Sequence, residues 1–82
     1  MEFRTSDTPL AAYLVTQGFI PSAIDYSSPP RFEVVFANSS DNIKGIASQY
    51  EVGLAKVEPI SFNRILRKFS RILRNQIQWE DD

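Results

Sequence analysis

Pro59-Ile60-Ser61-Phe62-Asn63-Arg64-Ile65-Leu66-Arg67-Lys68-Phe69-Ser70-Arg71-Ile72-Leu73-Arg74-Asn75-Gln76-Ile77-Gln78-Trp79 is the stretch whose reading decides the fold. Phe62, Ile65, Leu66, Phe69, Ile72, Leu73 and Ile77 recur at spacings of three and four. At about 100° per residue they fall on one stripe of an α-helix. Arg64, Arg67, Lys68, Arg71 and Arg74 recur at the same steps on the other side, within an arc of about 120°. The spacing predicts a two-sided helix over 59–78, with one face for a core and one strongly basic face. Pro59 suits its first turn, where a missing N–H costs nothing. The amphipathic segment 59–79 is followed by an acidic tail at 80–82, Glu80-Asp81-Asp82.

A helix of this kind needs a partner surface, and the preceding residues supply one. Arg31-Phe32-Glu33-Val34-Val35-Phe36 alternates in period two, with Phe32, Val34 and Phe36 facing one way and Arg31, Glu33 and Val35 the other. Phe19 to Tyr26 reads as a second strand, with Ile20, Ile24 and Tyr26 sharing a parity. Pro21 cannot donate to a ladder and restricts that strand to an edge, or itself to the strand's beginning. Ser27-Ser28-Pro29-Pro30 is a short loop, so the two strands are expected to pair as an antiparallel hairpin over 19–26 and 31–37. Glu2-Phe3-Arg4 is a candidate third, extended edge piece.

Two shorter helices flank the hairpin. Thr5-Ser6-Asp7-Thr8-Pro9 is a helix start, with Ser6 as the capping residue and Asp7 at the positive end of the dipole. Leu10, Ala11, Leu14 and Val15 form its apolar stripe, Tyr13 flanks it, and Gly18 ends it over 7–17. The small alanines beside Leu10 let another element approach closely. Asn38-Ser39-Ser40-Asp41 caps a helix over 40–52 carrying Ile43, Ile46, Ala47 and Tyr50 and ending near Gly53. Gly45 within it costs about 1 kcal/mol relative to Ala, which suggests a soft helix or a close approach there. The expected fold is one α+β domain over 1–82, in the order (β)αββαα. A small antiparallel sheet of two or three strands packs against three helices, and the long helix lays its apolar stripe on the sheet.

Eighty-two residues leave no room for a second core. The hydrophobic content of 43% argues for a folded chain rather than disorder. There is no Cys and no His. Disulfides, thiolate or imidazole metal sites and His-based proton transfer are therefore excluded. The three glycines are isolated, so no phosphate-cradling loop is present. Asp7, Asp25, Glu33, Asp41, Glu51 and Glu58 sit at scattered element ends, where solvation or capping explains each one. The expectation is a protein that is not an enzyme and has no cofactor and no bound metal. No apolar run reaches the length of a membrane span, and Met1-Glu2-Phe3-Arg4 is not a secretory leader. A cytoplasmic, non-membrane protein is expected.

Thr5-Ser6-Asp7 followed by Leu10-Ala11-Ala12-Tyr13-Leu14 and Gly18-Phe19 resembles a small uncharacterised family of bacterial, archaeal and phage domains. So do Phe32-Glu33-Val34-Val35-Phe36, the Tyr50 to Val57 stretch and Pro59-Ile60-Ser61-Phe62. The resemblance spans residues 2 to about 75 and implies an α+β domain associated with phages or mobile elements. Its motifs are caps, a hairpin and core positions, so it implies no substrate and no site residue.

The net charge of −1 conceals a division. The segment 59–79 holds five basic residues and no acidic one, while the remainder holds four basic and ten acidic. A face made only for solubility more often mixes signs, and here no carboxylate stands at the four-residue offsets that would pair these cations. Arg64, Arg67, Lys68, Arg71 and Arg74 are thus candidate nucleic-acid-binding residues, contacting DNA or RNA backbone, with Asn63, Asn75, Gln76 and Gln78 as polar accessories. The competing readings are a solvated helix face, a protein-interaction module (an inhibitor or complex subunit, with an acidic partner) that uses the basic face, the acidic tail or an exposed strand edge, and a small oligomeric structural protein that does not bind nucleic acid. The tail can fold back on Arg71 or Arg74, repel phosphate from that end of the helix, or pair with another subunit's basic face in a homo-oligomer. Tyr13, Tyr26, Tyr50 and Trp79 are either base-stacking platforms or core residues, and Trp79 either caps the core or awaits a partner.

Overall fold

The computed structural model describes residues 2–37 and 40–82. Its elements are β1 (Phe3–Thr5), α1 (Thr8–Thr16), β2 (Ala23–Asp25), β3 (Glu33–Phe36), α2 (Ile43–Glu51) and α3 (Pro59–Asn75), followed by a short 3-10 turn (Trp79–Asp81). This is the α+β fold expected, in the order βαββαα. The sheet is antiparallel throughout, in the order β1-β3-β2. β3 takes the centre because both of its faces are apolar enough to be covered. Val34 and Phe36 point into the main core, and Val35, on the other face, is also buried between its register partners Arg4 and Ala23.

The second strand is shorter than its apolar pattern suggested. Only Ala23–Asp25 pairs with β3, and Ile20 is exposed rather than in phase with Ile24. Pro21 precedes the strand, and the strand is an edge, in keeping with a residue that cannot donate. At its start Ser22 takes over the ladder. Its N–H and hydroxyl both donate to the Val35 carbonyl, at 2.8 and 3.0 Å, and the hydroxyl accepts from the Ala37 N–H at 3.0 Å.

Helix ends follow local chemistry. Asp7, not Ser6, is the N-cap of α1, its carboxylate accepting from the Leu10 N–H at 3.1 Å, while the Asp7 N–H donates to the Thr5 hydroxyl. α1 and α2 finish at Gly18 (φ 100°) and Gly53 (φ 80°), whose left-handed backbone closes the same pair of bonds. Phe19 N–H reaches Leu14 O and Leu54 N–H reaches Gln49 O, five residues back, satisfying carbonyls the helix leaves open. Part of the expected cap of α2, Asn38 and Ser39, lies outside the described residues. Ser40 accepts the Ile43 N–H through its carbonyl and is hydrogen-bonded through its hydroxyl to Asn42.

The core centres on α1, whose Leu10, Ala11, Ala12, Tyr13 and Leu14 are all buried. Tyr13, expected to flank the apolar stripe, is part of the core and packs its ring 5.7 Å from that of Tyr50 on α2. With only methyl groups at 11 and 12, α1 is approached closely by both α2 and α3. Phe69 and Ile72 of α3 join Ile24, Val34 and Phe36 of the sheet and Ile43 of α2 in one cluster.

Gly45 has no packing role. It is exposed, and a Cβ built on it would meet nothing within 4 Å. Gly45→Ala is therefore expected to stabilise the domain by about 0.8–1 kcal/mol through helix propensity alone. That corresponds to roughly 4–8 °C in melting temperature for a domain of this size. A thermal melt showing a lower midpoint would mean that α2 needs the glycine.

Candidate nucleic-acid interface

α3 runs for 17 residues, about 25 Å at 1.5 Å per residue. Its start is set by Glu58, whose carboxylate accepts from the Ile60 N–H at 2.7 Å and the Ser61 N–H at 3.0 Å. The Ser61 hydroxyl adds a third bond to it. These donors, the Ile60 N–H foremost, hold the Glu58 carboxyl below its ordinary range.

The helix stops at Asn75, three residues before the apolar spacing suggested. Gln76 adopts a left-handed conformation (φ 53°, ψ 47°), and the Ile77 N–H returns to Ile72 O at 3.1 Å. What makes a non-glycine residue accept this geometry is a set of long-range contacts beyond it. The Tyr26 hydroxyl meets Ile77 O at 2.7 Å and Ile72 O at 3.1 Å, covering carbonyls at the helix end. Burial pushes the Tyr26 phenol above its usual range, so its proton stays in place to donate. The Gln78 amide then lies along the outer edge of β2. Its oxygen accepts the Ile24 N–H at 2.6 Å and its nitrogen donates to Ile24 O at 3.0 Å. One side chain thus does for a sheet edge what a further strand would do. Trp79 folds back over Phe69, ring centroids 5.1 Å apart, and caps the core.

This reversal redistributes the expected basic face. Arg64, Arg67, Arg71 and Arg74 are exposed along one side of α3, whereas Lys68 is half-buried with its ammonium 3.9 Å from the centre of the Trp79 ring. Arg71 is engaged by the tail: its Nε and Nη2 donate to the two carboxylate oxygens of Asp82 at 3.0 and 2.8 Å. That pairing depresses the Asp82 carboxyl and raises Arg71. Among the described residues, no carboxylate lies within 4.0 Å of the Arg64, Arg67 or Arg74 guanidinium. Asn63, Asn75 and Gln76 are exposed beside the stripe. Gln78, expected as a further polar accessory, is instead committed to β2. Tyr13 is buried in the core, its ring against that of Tyr50, and the Tyr26 hydroxyl is hydrogen-bonded at the end of α3.

Sequence reasoning missed a second charged feature, on the outer face of the sheet. Arg4 donates to Glu2 at 2.9 Å, Asp25 at 2.9 Å and Glu33 at 3.2 Å. The signal was the strand register, which sets Arg4 opposite Val35 and Asp25 opposite Glu33. Asp25 and Glu33 also border an open cleft of about 310 Å³ with Arg31, Phe32 and three serines. The hydroxyl and N–H of Ser27, then the Arg4 guanidinium, hold the Asp25 carboxyl at about 2. A depressed carboxyl stabilises the folded state above its unfolded pKa and loses that contribution as the folded state takes up its proton. Glu58 and Asp82 shift in the same direction. The melting midpoint is therefore expected to hold from neutral pH down to about pH 4 and fall between there and about pH 2. An unchanged midpoint across that interval would contradict these pairings.

Among the described residues, no group of three or more Asp or Glu is arranged to hold a metal ion, and no helix is long and apolar enough to cross a membrane. No family model, no curated protein and no solved structure matches the chain.

Proposed function

We propose that the protein is a small non-catalytic accessory protein that binds the nucleic-acid backbone through the exposed face of α3. The observation that carries this reading is the row of Arg64, Arg67 and Arg74, exposed on one helix face with no carboxylate paired to them among the described residues. Arginine at these spacings presents planar, two-pronged donors over several phosphates. The spacing of these arginines follows the backbone and selects no base sequence, so DNA and RNA should bind with weak sequence preference. A place in a phage or mobile element, which the resemblance of its caps and core positions to bacterial, archaeal and phage domains implies, and a cytoplasmic location are part of this proposal. Anisotropy of labelled DNA and RNA at rising salt tests the reading. Three phosphate contacts predict a log–log slope of about −3 on duplex DNA. Absence of binding at low salt would refute it.

A second reading is favoured by one observation. Val52, Leu54 and Ile60 are 69%, 70% and 67% exposed and fall within nine residues of one another. Exposed large apolar residues in one segment of the chain suit a protein partner. In this reading the chain is an inhibitor or complex subunit, the arginines meet acidic residues, and nucleic acid does not bind.

A further inference from the structure

The basic face of α3 already holds an anion, and it is the protein's own. Both Asp82 carboxylate oxygens are engaged by one guanidinium, at 3.0 and 2.8 Å. This is the two-pronged geometry in which arginine also takes a phosphate. The Asp82 side chain is only 15% exposed, so the carboxylate is seated against the helix rather than trailing in solvent. Lys68, drawn alongside by Trp79, adds its positive field to the same carboxylate.

The seat is built by contacts that owe nothing to the charge. Gln76 turns the chain back, the Tyr26 hydroxyl holds Ile77, the Gln78 amide is fastened to Ile24, and Trp79 lies on Phe69. The Asp81 carboxylate accepts the Gln78 N–H at 3.2 Å and closes the turn that delivers Asp82. A tail that merely neutralised a stripe of arginines would not need this much fixed structure.

We infer that the Arg71–Lys68 end of α3 is a phosphate subsite, kept filled by the Asp82 carboxylate until a phosphodiester of bound nucleic acid displaces it. The inference rests on the nucleic-acid reading above and divides that surface in two. Arg64, Arg67 and Arg74 are open to phosphate at all times, while the Nε–Nη2 edge of Arg71 becomes available only when Asp82 leaves. The two anions cannot use the same pair of guanidinium N–H groups, so Asp82 is a built-in competitor that weakens binding and lowers the number of counterions released.

The test is anisotropy of a short labelled DNA duplex and a labelled RNA strand with the full chain and the variants Asp82→Ala, Arg71→Ala, their double variant and Glu80→Ala. Glu80 is exposed and removes the same charge from the same turn, so it measures the general effect of a less acidic tail. Trp79 emission checks that the turn remains packed in each variant. The expected result is binding about two- to fivefold tighter in Asp82→Ala than in Glu80→Ala. Its salt slope should be steeper by about 0.9 on duplex DNA, one additional phosphate contact. In the Arg71→Ala background the advantage of Asp82→Ala over the wild-type tail should shrink to the size of the Glu80→Ala effect. Asp82→Ala binding no tighter than Glu80→Ala, with the wild type binding well, would overturn the subsite and leave the wider interface standing. No binding by any variant at low salt would overturn both.

Discussion

Phe69→Ala is expected to destabilise the domain by about 3–5 kcal/mol, enough to unfold much of the population at physiological temperature. Phe69 is fully buried at the point where α3 meets the cluster formed by α1, α2 and the sheet. It is also the surface on which Trp79 lies. Deleting the ring removes apolar area from the core, leaves a cavity and takes away the platform of the C-terminal turn in one step. A domain of this size has only about 4–12 kcal/mol of total stability, so one such deletion can consume most of it. Denaturant titration followed by Trp79 fluorescence reads both consequences. A midpoint within experimental error of the wild type would mean that α3 is not part of the core.

The second large effect concerns the surface. Arg64→Glu/Arg67→Glu is expected to abolish nucleic-acid binding while leaving the fold intact. Neither residue has an ion-pair partner within 4.0 Å among the described residues, and both are exposed, so the folded state loses only the longer-range attraction between Arg64 and the Glu58 carboxylate. The Arg71–Asp82 pair and the Lys68–Trp79 contact are untouched, which keeps the tail in place. Two phosphate contacts are replaced by two repulsions, so affinity should fall by at least about tenfold at low salt.

The parts of this fold that were legible in the sequence are those set by neighbours in the chain. The alternation of Val34 and Phe36, the glycines at 18 and 53 and the three-four spacing from Phe62 to Leu73 each signal a local conformation, and each takes it. The departure at the end of α3 comes from long-range contacts. Gln76 has no local reason to adopt a left-handed backbone. It does so where Tyr26, 46 residues before Ile72, and Gln78, 54 residues after Ile24, tie the helix end to the sheet. Ile77 extends the helical spacing yet lies beyond the helix for the same reason.

The candidate interface divides in the same way. That Arg64, Arg67, Arg71 and Arg74 share a face follows from helical geometry and was readable in advance. That Arg71 is occupied by Asp82 and that Lys68 turns to Trp79 depends on the chain reversal, which the spacing conceals. The Arg4 cluster was hidden because its contacts to Asp25 and Glu33 are assembled by register across three strands.

The most direct test of the account is anisotropy of labelled duplex DNA and RNA at several salt concentrations, with the wild type beside Arg64→Glu/Arg67→Glu. The account predicts binding by the wild type that weakens linearly in log–log form with salt, lost in the variant while its melting curve is unchanged. Wild-type binding that the variant retains, or no binding to either nucleic acid at low salt, would contradict it.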